Sequence, residues 1–462
     1  MTDRILTGRA APAVPPAQKA QSALGPWPAA EDCAYDTEPA TCANFAVDGL
    51  LPQGVLFPRS AESVALVLKH ASDQGLAVIA CRNATKLSTG NIPQRYDVAL
   101  SLKEMNAVWR CEPGDLTASV EPGMKLGDFQ HMLARHGLWI PLDPPGGAKS
   151  SVGGIVAANA AGPLRLKYGA PRDFVLGTKV ATAAGKIVAT GGRVVKNVAG
   201  YDLTRLLIGS YGTLGVIVEI SFKLFPLQAG RASWRAEVRS IDQARDFRRR
   251  MLDSPLGPAR MVLLDRGAAA IATGGAHAGS AWEIWLEFCG SERVLNRSAR
   301  LLDDLAQTAG ISFHALNSDA AESGWNCIAD FAPILPLDDE AIVVLKATLP
   351  IARSEEFVAI VAGEAETAGA RSACFCQCGV GIVHACVMAP KIAPTLATAV
   401  VNLRQSALDR GGAMVIERCP IELKPELDAW GPPGSGFGLM RQLKDLWDPK
   451  GTLAPGRFVG GL

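Results

Sequence analysis

Apolar residues alternate with polar ones in two rhythms along this chain. Over 63–74, Val64, Val67, Leu68 and Ala71 recur at helical spacing, with Ser60 ahead as an N-cap and Gly75 behind as a stop. The apolar run 76–80 predicts a short buried strand, and the polar stretch 82–90 after it predicts a loop. Strands are predicted at 98–102 and 117–120, and a helix over 125–136 closed by Gly137. Residues 175–183 and 186–189 alternate as a hairpin across Ala184-Gly185, and 219–226 reads as a further strand. Beyond 228 glycine thins out. Helices are expected at 241–253 and 293–309, and strands at 260–264, 281–289 and 341–349. A last helix is predicted over 439–447. The expected organisation is an Ala/Pro-rich flexible extension at 1–42, an α+β unit at 43–228, a second α+β unit at 229–425, and a segment at 426–462 that returns to the first unit.

Composition narrows the function classes. The 462 residues are 48% hydrophobic and 20% charged, ordinary for a packed globular chain. A formal net charge of +1 argues against nucleic-acid binding through a strongly basic surface. No membrane-spanning segment is expected, and Met1-Thr2-Asp3-Arg4 does not open a secretory signal. A cytoplasmic location is expected, with any membrane contact peripheral.

The 11 cysteines are odd in number and scattered, unlike a secreted disulfide framework. Cys374, Cys376 and Cys378 fall on one face of an extended segment, with Cys386 on a second strand beyond Gly379 and Gly381. An iron–sulfur or zinc site is the alternative to buried thiols. The spacing is C-x-C-x-C rather than paired C-x2-C, so no metal site is assigned.

Glycines crowd the middle of the chain. They fit turns and close packing, or a backbone surface pressed against a ligand's phosphates, where a side chain would collide. The clusters Ser150-Ser151-Val152-Gly153-Gly154 and Gly209-Ser210-Tyr211-Gly212-Thr213-Leu214-Gly215 join glycine to hydroxyl residues, as a cofactor cradle does. No GxGxxG follows a first strand, so a nicotinamide dinucleotide in a Rossmann fold is not supported. HExxH, P-loop and GxSxG patterns are absent from the sequence.

The stretch Gly191-Gly192-Arg193-Val194-Val195-Lys196-Asn197-Val198-Ala199-Gly200-Tyr201-Asp202-Leu203, continued by 209–219, resembles the FAD-binding subunits of bacterial glycolate oxidase, the E type most of all. These belong to the vanillyl-alcohol-oxidase (PCMH-type) FAD-linked oxidases. Arg172-Asp173-Phe174-Val175-Leu176-Gly177 matches the preceding strand, and Pro144-Pro145 with 152–157 matches the adenine-side segment. The tail Leu446-Trp447-Asp448-Pro449-Lys450-Gly451-Thr452-Leu453-Ala454-Pro455-Gly456-Arg457 resembles the family's closing motif. The resemblance is strong over 50–230, moderate in the tail and weak between them.

This resemblance implies an α+β protein: a PCMH-type FAD-binding fold of two α+β subdomains with a second α+β cap domain on the substrate side. It implies FAD, with the pyrophosphate held by main-chain N–H groups of Arg82, Asn83, Ala84, Thr85, Lys86 and Leu87, closed by Gly90. The cofactor set is completed by Pro144, Val152, Gly153, Gly154, Ala157, Asn197, Gly200, Tyr201, Asp202, Gly212, Gly215, Val216, Ile217 and Arg457. The family's glycines before Thr-Lys stand here as Arg82, Asn83 and Ala84. Either Arg82 adds charge toward the phosphates, or the added side chains fill their space. No catalytic base is assigned; of the six histidines, His384 beside the cysteine hairpin is the one to test. The function implied is that of a flavin subunit in 2-hydroxy-acid oxidation, passing electrons toward an iron–sulfur (F-type) subunit beside a D-type flavoprotein subunit. The alternatives are a non-catalytic structural subunit with a degenerate flavin site, or a free-standing FAD-dependent alcohol oxidase.

Overall fold

The computed structural model describes residues 27, 32–82, 86–192, 201–275, 281–331 and 341–462. Two small sheets are built from the first half. β1 (Cys33–Asp36), β2 (Gly54–Pro58), β3 (Val78–Cys81) and β4 (Val98–Ser101) form one, in the order β1-β2-β4-β3, with β2, β4 and β3 parallel. Parallel neighbours need a crossover, and helix Ala61–Gln74 supplies it between β2 and β3. Its start is fixed as the sequence suggests. The Ser63 N–H donates to Ser60 Oγ at 3.1 Å, the Ser60 N–H donates to Ser63 Oγ at 3.3 Å, and Gly75 ends the helix at φ 68°.

β5 (Val108–Glu112), β6 (Thr117–Val120), β8 (Val175–Ala181), β9 (Ile187–Gly191) and β10 (Val216–Lys223) form the second sheet, antiparallel, in the order β5-β6-β10-β8-β9. Between them in sequence, β7 (Leu138–Trp139) pairs with β11 (Phe225–Pro226). Val64, Val67, Leu68 and Ala71 pack between the two sheets, against Val98 and Leu100 on one side and Ala181, Val216 and Val218 on the other. The helical face predicted from spacing is thus buried twice over, a large apolar gain for one short helix.

The second half folds on one sheet of eight strands. They are β12 (Arg231–Val238), β13 (Arg260–Asp265), β14 (Trp282–Cys289), β15 (His314–Ala315), β16 (Ala341–Thr348), β17 (Arg371–Gln377), β18 (Ile382–Ala389) and β19 (Ala413–Arg418), in the order β15-β12-β14-β13-β17-β18-β16-β19. Every pairing is antiparallel. Helices Ile241–Asp253, Glu292–Ala309, Ser354–Thr367 and Pro394–Asp409 bury one face. Cys374, Cys376 and Cys378 lie in that aliphatic core, where burial pushes the Cys374 thiol upward and a hydrogen bond to Cys376, then burial, does the same for Cys378. Helices Arg266–Ala272 and Ser318–Ala329 cover part of the opposite face, with Trp285, Phe375 and Cys386. The remainder of that face, at β16 to β18, turns toward the first half and carries His384.

Candidate active site

A deep cleft opens between the two small sheets, with about 1220 Å3 free of protein atoms counted to its mouth. Ile79 to Arg82, Lys86 and Leu87 form one wall as the chain leaves β3. The second wall is the bend before and within helix Val152–Ala157, including Ser151, Gly153 and Gly154. Tyr211, Gly212 and Thr213 lead into β10, where Gly215, Val216 and Ile217 continue the lining. The tail closes the site with Trp430, Ala454 and Arg457.

The glycines divide by role. A Cβ on Gly153 would lie 2.8 Å from the Pro122 carbonyl oxygen, and one on Gly215 would meet the Val180 side chain. Those two allow close packing behind the cleft. Gly212 has φ +74° and open space where a side chain would stand, so backbone is presented directly to the cleft. Tyr211 rests edge-on to Trp430 at 4.9 Å between ring centres, and Trp430 to Phe458 at 4.8 Å, giving an aromatic wall.

Arg82 does not fill the space. Its Nε donates to the Gly123 carbonyl at 2.5 Å, which draws the side chain along the wall. Asn83, Ala84, Thr85, Asn197 and Gly200 lie outside the described residues. Of the other predicted positions, Lys86, Leu87, Gly153, Gly154, Ala157, Gly212, Gly215, Val216, Ile217 and Arg457 line the cleft. Five described positions stand elsewhere. Val152 turns wholly into the core, and the lining prolines are Pro122 and Pro145 rather than Pro144. Tyr201 is 96% exposed, and Asp202 caps helix Leu203–Leu207 through the Arg205 N–H at 3.2 Å. Gly90 also lies off the cleft: at φ +99° it packs against the Arg457 carbonyl. Arg457 itself spends Nη2 on the carbonyls of Leu87 and Thr89, so it braces the loop from behind.

A smaller cavity adjoins the cleft, and Pro145 lines both. Phe331, Val344, Phe375, Gln377, His384 and Glu417 come from the large sheet and its flank, with 161–163 opposite. His384 pairs in register with Lys346 on β16 and Phe375 on β17. Its ring stacks on Phe375 at 4.9 Å and 17°. His384 Nδ1 lies 4.0 Å from Glu417 Oε2, and Nε2 lies 3.4 Å from the Gln377 amide nitrogen. The Thr89 hydroxyl donates to the Glu417 carbonyl at 3.0 Å and ties the cleft loop to this cavity. Asp143, held by the Leu164 N–H at 2.9 Å and 3.3 Å from Arg260 Nε of β13, fastens the wall between them.

Burial lowers the His384 pKa to about 4; Glu417 opposes that shift, while Lys346, Lys86 and Arg165 add to it. Burial alone would raise Glu417, but Lys346, His384 and Lys86 outweigh it and hold the carboxyl below its ordinary value. At neutral pH the pair is therefore a neutral imidazole beside a carboxylate. The folded value of His384 lies below the unfolded one near 6.5, so unfolded chains bind the extra proton between the two. This residue's contribution to stability falls as pH drops from about 6.5 to about 4, by roughly 3 kcal/mol in all. In H384Q the decline of the urea midpoint over that window should be shallower than in the wild type. Equal slopes would show that His384 does not titrate this way.

Comparison with known proteins follows the same lines. Residues 52–191 match the FAD-binding domain model, and residues 227–417 and 429–458 match the C-terminal domain of FAD-linked oxidases. Glycolate oxidase subunit GlcD of Bacillus subtilis is 28% identical over 434 residues, 88% of this chain and 89% of the relative. An uncharacterized FAD-linked oxidoreductase of Mycobacterium tuberculosis is 30% identical over 429 residues, 87% of this chain and 90% of the relative. Glycolate oxidase subunit GlcE of Escherichia coli is 45% identical, over 134 residues that make up 29% of this chain and 38% of the relative. The structure of p-cresol methylhydroxylase with substrate bound superimposes with a TM-score of 0.70 at 14% identity, covering 92% of this chain and 93% of that one. The fold is thus the α+β PCMH-type FAD-binding fold. The cleft suits FAD: it is open, apolar toward Ile79, Val216 and Ile217, and presents bare backbone at Gly212.

Proposed function

Because this chain belongs to the FAD-linked oxidoreductases, we propose that it oxidises a small 2-hydroxy acid as a flavin subunit of the glycolate-oxidase kind. The observation that carries this reading is the adjacency of the cleft to the His384–Glu417 cavity across the shared wall at Pro145. FAD, when bound, supplies a two-electron acceptor that can release its electrons singly. The residues of the cleft would hold it: Gly212 through close backbone approach, Gly153, Gly154 and Gly215 within its lining, and Leu87 and Lys86 beside its phosphates.

This chain's own groups then divide the remaining work. Neutral His384 takes the hydroxyl proton, and the Glu417 carboxylate stabilises the imidazolium that results. Lys346 and Lys86 act on Glu417 and offset its negative charge, which favours a carboxylate substrate. Phe375, Val344 and Phe331 keep water from the reacting centre. Local identity to GlcE favours the E-type place in a complex with a D-type flavoprotein and an iron–sulfur F-type subunit, in the cytoplasm or at the membrane surface through partners. The length of the match to GlcD favours a subunit that oxidises substrate itself.

The test is spectroscopic. The purified chain, alone and co-purified with its partners, should carry a visible flavin spectrum that glycolate or D-lactate bleaches anaerobically. A colourless chain in an active complex would instead identify a structural subunit. A coloured chain that turns over other alcohols with oxygen, and ignores 2-hydroxy acids, would identify a free-standing oxidase.

A further inference from the structure

Four successive carbonyls of the loop 87–90 are taken by two buried cations. Arg457 Nη2 takes those of Leu87 and Thr89. Lys424 Nζ takes those of Ser88 at 2.6 Å and Gly90 at 3.0 Å. Lys424 is itself almost fully buried and is held by both oxygens of Asp48, each at 2.7 Å. Asp48 adopts φ +48°, a backbone region disfavoured for a non-glycine residue, and the bidentate contact gives that geometry a reason. The Thr89 N–H closes the loop on the Lys86 carbonyl at 3.1 Å and the Asn91 N–H takes the Arg457 carbonyl at 3.1 Å, so cations and backbone together fix the path of 86–91, on which Lys86, Leu87 and Thr89 line the cleft.

We infer that Lys424 is a positioning residue for the cofactor: by holding the Ser88 and Gly90 carbonyls it fixes the loop whose Lys86, Leu87 and Thr89 line the cleft. This rests on the reading that the cleft between the glycine bends takes FAD. Lys424 lies six residues beyond the end of β19, after the 3-10 turn Ile421–Leu423, and its neighbours Leu423 and Leu427 are packed in the core of the large sheet. A residue anchored in the second half thus shapes a cofactor loop of the first. FAD retention and docking of the large sheet are therefore coupled, and by linkage each strengthens the other. The tail repeats the device on the opposite wall. Lys444 Nζ, paired with Asp448 at 2.7 Å, takes the Thr213 carbonyl at 2.8 Å and the Leu453 carbonyl at 2.8 Å.

The experiment is FAD titration of the full-length apo chain, read by flavin fluorescence and by the visible spectrum. K424M removes the donors but keeps the stem, and should raise the FAD dissociation constant about 10- to 100-fold. K424Q, which keeps one amide donor, should give a smaller rise in the same direction and serves if K424M does not fold. S60A lowers stability at a distant helix cap and should leave affinity as in the wild type. A folded K424M or K424Q with wild-type affinity overturns the proposal, as does an equal loss in S60A, which would reduce Lys424 to general stability. A wild-type chain that takes up no FAD would instead overturn the assignment of the cleft.

Discussion

Replacing His384 by glutamine slows flavin reduction by a 2-hydroxy acid roughly 10^2- to 10^4-fold, the usual contribution of a positioned general base. FAD content stays at the wild-type level, because His384 lies in the adjoining cavity and not among the residues that line the cleft. Stopped-flow bleaching of the flavin absorbance under anaerobic conditions measures this directly. Glutamine fills much of the same volume and can still hydrogen-bond near Gln377, so the cavity need not collapse. The alkaline limb of the profile should be flat, since His384 is already neutral well below pH 7. H384Q with wild-type reduction rates would remove His384 from the proton path and leave Glu417 as the group to test.

The largest loss of stability should come from E355A. Glu355 is wholly buried in helix Ser354–Thr367 and pairs with Arg248 Nε of helix Ile241–Asp253, itself 8% exposed. Ser354 Oγ also reaches Glu355 Oε2 at 3.4 Å. Deleting the carboxylate strands a guanidinium in the apolar layer that supports the large sheet. Breaking a buried pair in this one-sided way costs about 3–5 kcal/mol. The pair itself need not be stabilising, because both ions were desolvated to form it. The double variant R248M/E355L should therefore recover most of the loss. Urea midpoints of the single and double variants separate the cases. A single variant within about 1 kcal/mol of wild type would mean that water reaches Arg248.

Local sequence signals carried much of the fold. The helix at 61–74 was legible because its cap, its apolar face and its terminal glycine agree with one another. The cysteine hairpin was legible too, from strict alternation at 374–378 and the glycines that turn it. Within the cleft, the glycine clusters at 153–154 and 212–215 mark lining backbone, since glycine's lack of a Cβ has few other uses at that density. Tyr211, inside one of those clusters, could have been noticed as part of the wall. Trp430 had no such signal, as one tryptophan in a Gly/Pro-rich tail looks like any other.

Other residues could be weighed only with neighbours in view. Tyr201 and Asp202 sit in the most family-like stretch, yet one faces solvent and the other caps a short helix. Arg457 reads as a group that could reach the flavin, and in the fold it lines the cleft while its Nη2 holds two carbonyls of the loop. Glu417 is a lone carboxylate in sequence; only the β16–β18–β19 neighbourhood brings it beside His384.

The order of residues by itself determined elements such as the helices at 61–74 and 241–253 and the strands at 98–101 and 260–265, and where backbone must go without side chains, because those properties depend on neighbours within a few positions. Tertiary structure alone decided that Lys424 and Arg457 stand behind Leu87 to Gly90, more than 330 residues away along the chain. A buried cation's partner is chosen by whichever carbonyls the packed sheets deliver to it, and that depends on the closure of the whole fold.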